Sequence, residues 1–430
     1  MVYNKQQIMQ DKEVERLIQD EAARQASGLE LIPSENYVTA DVRAALGSVF
    51  TNKYSEGYPG RRYYGGQEFT DKVETLAIER AKALFRADHA NVQPHSGAAA
   101  NEAVYHAWAK PGDTILAMEL SHGGHLTHGS PVTILAHTFN YVRYGISDLE
   151  TGAIDYEEVR RLALEHQPKI LLVGFSSYPR ELDYAKFAAI GSEVGALLVA
   201  DMAHIAGLIV AGELRNPFDD GFHVITSTTH KTLRGPRGGL ILSRGKVGNP
   251  LRAPEHTIEN IPTLIDRTVF PGLQGGPHMN TIAAKAVAFR EAATPEFKEY
   301  ARSVLHNAKA LANELMQRDV SLITNGTDNH LMVIDCVKSF GIDGAEVETI
   351  LDSIGLNANK NVIPNDPLPP FKPSGLRLGT PAITTRGLNE ADMKELAGLI
   401  VQAVSARGDE SVLDGLRDQV QRIAAMHPLP

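Results

Sequence analysis

Asp201, His204 and Lys231 are residues of types that together can run amine–carbonyl chemistry. A lysine in water has a pKa of about 10.4 and is a poor nucleophile at neutral pH. Desolvation or a neighbouring positive dipole lowers that value and makes a Schiff base feasible. Lys231 lies in THKTLRGPRGG, after an apolar run and before a glycine-rich turn, which places it at a strand end inside a cleft. Asp201 closes GALLVAD, a second strand-like run, where it can face the ring nitrogen of an electron-sink cofactor. The plainer alternative is that Asp201 caps a helix and Lys231 is a solvated loop lysine.

Ser96-Gly97-Ala98-Ala99-Ala100-Asn101 follows the strand-like Ala90 to Gln93 and opens a helical pattern through Val104 and Trp108. Small residues at a helix N-terminus expose backbone N–H groups, and the helix dipole favours an anion there. A cofactor phosphate fits this position, as does simple close packing of the helix start against a sheet. The chain has neither G-x-G-x-x-G nor G-x-x-x-x-G-K-[ST], so dinucleotide and nucleoside-triphosphate readings lack support. A Schiff-base lysine, an acid facing a ring nitrogen and a phosphate cup would together suit pyridoxal 5′-phosphate (PLP), each beside its plainer alternative.

Ser121 to Gly129 carries His122, His125 and His128 at three-residue spacing. A metal site is one reading. The intervening glycines argue against a helix presenting the three on one face, and no carboxylate lies beside them in the sequence, so no metal is expected. A histidine stacked on an aromatic cofactor ring is the better functional reading, with His125 the candidate; a glycine-rich surface loop is the alternative. Thr51 to Gly66, TNKYSEGYPGRRYYGG, is dense in Tyr, Gly and Arg with one acid, Glu56. Phenols and a carboxylate on such a loop suit acid–base and phosphate-binding roles, or a subunit interface, or both. In Ser374 to Gly379 an arginine, Arg377, sits in an apolar strand-like run. It wants a carboxylate, from an amino-acid substrate or from a structural salt bridge.

These groups need elements to hold them. Lys169 to Phe175, Gly195 to Ala200 and Phe222 to Thr229 read as strands, and Tyr184 to Val194 as a helix between the first two. Such alternation predicts βαβ units and a largely parallel sheet, with ligands bound beyond the carboxyl ends of its strands. After about Arg290 the pattern changes to a long helix (Glu296 to Arg318), a strand (His330 to Asp335), a helix (Gly344 to Ile354), a loop from Pro364 to Pro373 with five prolines, and two more helices. That is a smaller α/β domain. A length of 430 residues exceeds what one core usually organises, in agreement with two domains. The net charge of −10 argues against nucleic acid or an anionic membrane as partner. Cys336 is the only cysteine, which excludes an intramolecular disulfide. The polar stretch Met1 to Arg16 has no signal-peptide character and no run is long enough to span a bilayer, so the cytoplasm is the expected compartment.

Together the segments LIPSENY, TNKYSEGYPGRRYYGG, NVQPHSGAAAN, HGGHLTHGSPV, VADMAHIAGLIVAGE, TSTTHKTLRGPRGGLIL, FPGLQGGP, TNGTDNHL, NANKNVIPNDP and SGLRLGTPAITTRG, in this order from about residue 28 to 400, closely resemble the serine hydroxymethyltransferase family. The resemblance implies a fold-type-I PLP transferase. It would have an N-terminal arm (1–27), a large PLP-binding α/β domain with a mostly parallel seven-stranded sheet (28–290) and a small C-terminal α/β domain (291–430), in a homodimer or dimer of dimers. It implies PLP held covalently on Lys231, with Asp201 at the ring nitrogen and His125 on the ring. Ser176 and His204 would lie at the phenolic oxygen, and Ser96, Gly97 and Ala98 at the phosphate. Thr228 and His230 would join Lys231 in catalysis. Tyr54, Gly275 and Gly276 would reach the cofactor from the neighbouring subunit. Ser34 and Arg377 would hold the substrate carboxylate, with Glu56 and Tyr64 as acid–base and substrate-binding groups. Leu120, Gly124, His125, Leu126 and Asn361 match folate-binding positions. The implied reaction interconverts L-serine and tetrahydrofolate with glycine and 5,10-methylenetetrahydrofolate. An α-methylserine hydroxymethyltransferase, a folate-independent 3-hydroxy-amino-acid aldolase and a non-catalytic PLP-fold binding protein are the rivals. The chain departs from the family pattern at Ala98, where a hydroxyl residue is common, at Pro33 (LIPSEN for LIASEN), and in the long segment Gly248 to Asp266.

Overall fold

Strands β1 (His89–Asn91), β2 (Thr114–Met118), β3 (Asn140–Tyr144), β4 (Ile170–Gly174), β5 (Leu197–Asp201), β6 (Val224–Thr228) and β7 (Gly239–Ser243) form one sheet in the order β1-β7-β6-β5-β4-β2-β3. Strand β7 runs antiparallel to both neighbours, and the remaining pairs are parallel. The computed structural model describes residues 9–248 and 254–430. The start of the expected N-terminal arm and residues 249–253 of the Gly248–Asp266 segment therefore lie outside the described residues.

The sequence explains why the central strands are apolar throughout rather than alternating. Side chains leave a strand on opposite faces, and helices cover both faces of a parallel sheet. Leu116, Leu171, Val173, Leu198 and Ala200 thus enter one core with Phe187, while Ile115, Ile170, Leu172, Leu197 and Val199 enter the other with Val104 and Tyr105. The helix Tyr184–Val194 ends at Gly195, in the left-handed conformation at φ 67°. The strand-like run GALLVA therefore begins in pairing only at Leu197, because its glycine terminates the preceding helix.

The 22-residue helix Pro295–Met316 joins two bodies. Phe297, Ala301 and Val304 pack into the first large-sheet core. Ala308, Leu311 and Leu315 pack into a separate core around β8 (Leu331–Asp335), β9 (Asn359–Asn361) and β10 (Gly375–Gly379), an antiparallel sheet in the order β8-β10-β9. Leu29–Glu30 pairs in parallel with Leu356–Asn357, so Leu29 and Leu31 pack into this second core. The stretch Pro364–Pro373 forms no helix or strand. Among the described residues, no helix is long and apolar enough to cross a membrane.

Candidate active site

Parallel pairing sets Gly174 beside Asp201 and Asp201 beside Thr226, so β4, β5 and β6 end side by side. A cavity of about 530 Å³ lies beyond those ends. Ser176, His204, Thr228, His230 and Lys231 line it from the strand ends. The small body contributes Asn361 and Arg377, and Ser34 comes from the N-terminal segment.

Lys231 is buried, and desolvation lowers its pKa to about 8 against the opposing pull of Asp201. A sizeable fraction is then the free amine near neutrality, the form that attacks a carbonyl. Asp201 sits just beneath the lining. Its Oδ2 accepts from Asn101 Nδ2 (2.8 Å) and His128 Nε2 (3.1 Å), and its Oδ1 from the Ala203 N–H (3.1 Å). Burial alone would raise this carboxyl. The His128 hydrogen bond, the neighbouring histidines and Asn101 outweigh burial and hold it well below the ordinary range, so it is ionised. Since the His125 N–H donates to His128 Nδ1 (3.1 Å), the proton of His128 is on Nε2, facing Asp201.

The histidine loop is organised differently from the sequence expectation. His122 turns away, and its Nδ1 accepts from the Ile146 N–H at 2.9 Å. His125 and His128 converge instead on Asp201, with ligating atoms within 4.8 Å of one another. The loop therefore does have a carboxylate beside it, supplied by a strand more than seventy residues away. His125 lines the cavity, is neutral because burial lowers its pKa to about 4, and accepts the Thr127 N–H at Nδ1 (3.2 Å).

Ser96 caps the helix Gly97–Trp108, accepting from the Ala99 N–H at 3.2 Å. Ser96, Gly97 and Ala98 line the cavity where this helix presents its first backbone donors. A Cβ on Gly97 would lie 2.7 Å from Thr228 Cγ2, so only glycine allows this approach. Leu120, Gly124 and Leu126 line another wall. A Cβ on Gly124 would fall 2.3 Å from the Met118 carbonyl oxygen.

Arg377 reaches the cavity from β10. It donates from Nη1 to the Ser176 carbonyl (2.6 Å) and from Nε to Asn359 Oδ1 (3.2 Å). Burial lowers its pKa to about 10, which leaves it charged at neutrality. No carboxylate pairs with it among the described residues, which disposes of the structural salt bridge as its purpose.

Tyr54, Glu56, Tyr64, Gly275 and Gly276 are brought together, but away from this cavity. The Tyr54 hydroxyl lies 3.4 Å from Glu56 Oε1, and the rings of Tyr54 and Tyr64 meet edge to face at 5.3 Å. A Cβ on Gly275 would lie 3.2 Å from Glu56 Oε1, and one on Gly276 3.0 Å from the Tyr54 ring. Both phenols are about half exposed, and the Glu56 charge raises the pKa of Tyr64. Arg62 is engaged by Asp71 and Glu74 and by the carbonyls of Ser55 and Gly57, so it shapes the loop without Glu56.

The sequence reading missed Arg237, Lys360, Pro370 and Pro373, which line the cavity, and Asn101 and His128, which orient Asp201. Arg237 lay within reach, six residues after Lys231 in the same glycine-rich turn; Asn101 gave no signal beyond its place in a helical pattern.

A buried lysine at a strand end, an ionised acid beneath it and a helix N-terminus opening on the same cavity define a fold-type-I PLP enzyme. The family model for serine hydroxymethyltransferase matches residues 8–400. Proteins named serine hydroxymethyltransferase from Xanthomonas campestris pv. campestris strains B100 and 8004 are each 52% identical over 419 residues, covering 97% of this chain and 97% of theirs. The chain belongs to the serine hydroxymethyltransferase family, whose members depend on PLP and use tetrahydrofolate as co-substrate.

Proposed function

We propose that this chain reversibly converts L-serine and tetrahydrofolate into glycine and 5,10-methylenetetrahydrofolate. The observation that carries the reading is the meeting of Lys231 and Arg377 in one cavity: a desolvated amine and a buried cation that no carboxylate among the described residues pairs with. The residues present fit PLP, with Lys231 for the covalent bond, the Ser96–Ala98 helix start for the phosphate and Asp201 for the ring nitrogen. His125 suits the ring face, and Ser176 and His204 suit the phenolic oxygen. When bound, PLP supplies an electron sink for bond breaking at the substrate's Cα.

The chain's own residues bind, orient and move protons. Arg377 and Ser34 hold the amino-acid carboxylate; an arginine fork against a carboxylate fixes orientation as well as charge. Ionised Asp201, held by Asn101 and His128, keeps a positive charge on whatever nitrogen faces it. Thr228 and His230 line the cavity with Lys231, and His230 stays neutral because burial and the Lys231 charge lower its pKa to about 3. Leu120, Gly124, Leu126 and Asn361 form the folate-facing wall. Glu56 and Tyr64 move the proton of the serine hydroxyl, and they do so in a neighbouring subunit's cavity, together with Tyr54, Gly275 and Gly276. The working form is therefore a homodimer or a dimer of dimers, and the compartment is the cytoplasm. On this reading the chain divides into an N-terminal arm (1–27), a PLP-binding unit (28–290) and a small unit (291–430) that contributes Asn361 and Arg377 to the cavity.

The test is a turnover assay with and without tetrahydrofolate, comparing L-serine with α-methylserine. Folate-dependent glycine formation from L-serine supports the proposal. Preference for α-methylserine, or equal turnover of a 3-hydroxy amino acid without folate, replaces it with one of the two relatives. The same fold without a visible PLP band would point to a binding protein.

A further inference from the structure

His330 lies outside the cavity wall, yet its loop is held unusually firmly. Thr324 is fully buried at φ +70°, a conformation that β-branched residues rarely adopt. Arg180 holds it there, donating to both the Thr324 hydroxyl (3.1 Å) and its carbonyl, while also pairing with Asp328 (3.0 Å). The Thr327 hydroxyl donates to the Leu331 carbonyl (2.6 Å), Asn329 Nδ2 to the Tyr178 carbonyl (3.1 Å), and the Asp328 N–H to the Pro179 carbonyl (2.8 Å). The loop that leads into β8 is thereby stitched to the segment that follows β4.

The product of this stitching is one contact. The rings of His330 and His204 stack with centroids 5.4 Å apart, and His204 Nδ1 lies 3.2 Å from His330 Nε2. Both side chains are buried. Burial, with the charges of Lys231 and Arg377, keeps both rings neutral. One proton therefore lies between the two nitrogens. If His204 Nδ1 carried it, His330 would keep its own proton on Nδ1, which is buried and has no partner among the described residues. An orphaned N–H donor is rarer in proteins than an orphaned acceptor. If His330 Nε2 carries the proton, only a lone pair is left unpaired, and the proton of His204 falls on Nε2.

We propose that His330 is a positioning residue that fixes His204 as the Nε2–H tautomer, so that His204 presents a hydrogen-bond donor to the Lys231 cavity. A donor suits an anionic oxygen of the ligand; the opposite tautomer would present a lone pair and repel it. The proposal deepens the PLP reading of the cavity and rests on it only for the identity of that oxygen.

The test is long-range ¹H–¹⁵N correlation on the full chain labelled at histidine nitrogens, recorded with PLP bound and after the cofactor is stripped. His204 is assigned by loss of its signals in His204→Gln. The expected spectrum has His204 protonated on Nε2 and bare on Nδ1 in both states. His330→Leu should turn His204 into a mixture of tautomers and weaken PLP binding about three- to tenfold. His330→Gln places an amide donor near the position of the lost Nε2–H and should restore both. A proton on Nδ1 of His204 in the unsubstituted chain overturns the proposal, as does an unchanged single tautomer in His330→Leu. If His330→Leu does not fold, the unsubstituted spectrum still decides. A chain that took up no PLP would defeat the cofactor reading, while the tautomer measured on the stripped protein would stand or fall separately.

Discussion

The Lys231 cavity and the Tyr54–Glu56–Tyr64 cluster solve opposite problems. In and around the cavity, Lys231, His204 and His330 are buried and desolvation lowers their pKa values, whereas Asp201, behind the lining, is ionised because its hydrogen bonds outweigh burial. At the cluster, the two phenols are about half exposed and the Glu56 carboxylate lies beside Gly275 and the Tyr54 hydroxyl. The cavity has amine, acid, anion cup and carboxylate receptor, but among the described residues no carboxylate lines it to move a substrate proton. The cluster has that carboxylate and no receptor. Among the described residues these are two half-sites that do not meet within one chain; on the proposed reading a second copy would bring them together.

The first way to break this comparison is to remove the amine. Lys231→Ala should lose covalent cofactor altogether, and turnover should fall by on the order of 10³-fold or more, the upper range for one proton-handling group. Borohydride reduction of the unsubstituted protein followed by peptide mass analysis should find the cofactor on Lys231; another labelled lysine would refute the assignment. Arg377→Ala comes next. It should keep PLP but weaken amino-acid binding by roughly 2–4 kcal/mol, the scale of a lost charge-assisted bidentate pair. Titration of the visible spectrum with serine measures it, and loss of the fold instead would make Arg377 structural.

Glu56→Gln sharpens the comparison from the other side. Glutamine keeps the shape and cannot exchange a proton, so serine should still shift the spectrum while folate-dependent kcat falls by on the order of 10²-fold. Weakened serine binding with kcat intact would reduce Glu56 to a loop residue. The smallest effect concerns pH. With the Lys231 pKa lowered to about 8, the free amine grows as pH rises through that value and is complete above it. The rate of PLP reloading onto stripped protein should climb about tenfold per pH unit below 8 and level off above it; a climb continuing to about 10.4 would mean an ordinary solvated lysine.

The cavity was legible where chemistry follows chain order. Asp201 and Lys231 end strand runs, and the rule for parallel sheets sends such residues to a common edge. The Ser96 helix start was legible for the same reason. What escaped is what depends on contacts between distant segments. Asp201 meets Asn101 across 100 residues, and His204 meets His330 across 126; neither partner carries a local signature. The carboxylate beside the histidine loop escaped likewise, since it lies on another strand. In the fold, apolar runs located the central strands and the strand-like Ala90 to Gln93 overlapped β1, while β9, which is polar, offered little periodicity to read.

Mixing two damaged chains tests the half-site account most directly. Lys231→Ala retains an intact Glu56 cluster, and Glu56→Gln retains an intact Lys231 cavity. Unfolded together and refolded at equal concentrations, they should form mixed dimers in which one site receives both intact halves. If chains assort at random, activity should recover to about a quarter of the unsubstituted level, since half the dimers are mixed and each has one sound site. Activity no higher than the average of the two variants alone, with mixed dimers demonstrated by native mass spectrometry, would show that both halves serve within one chain.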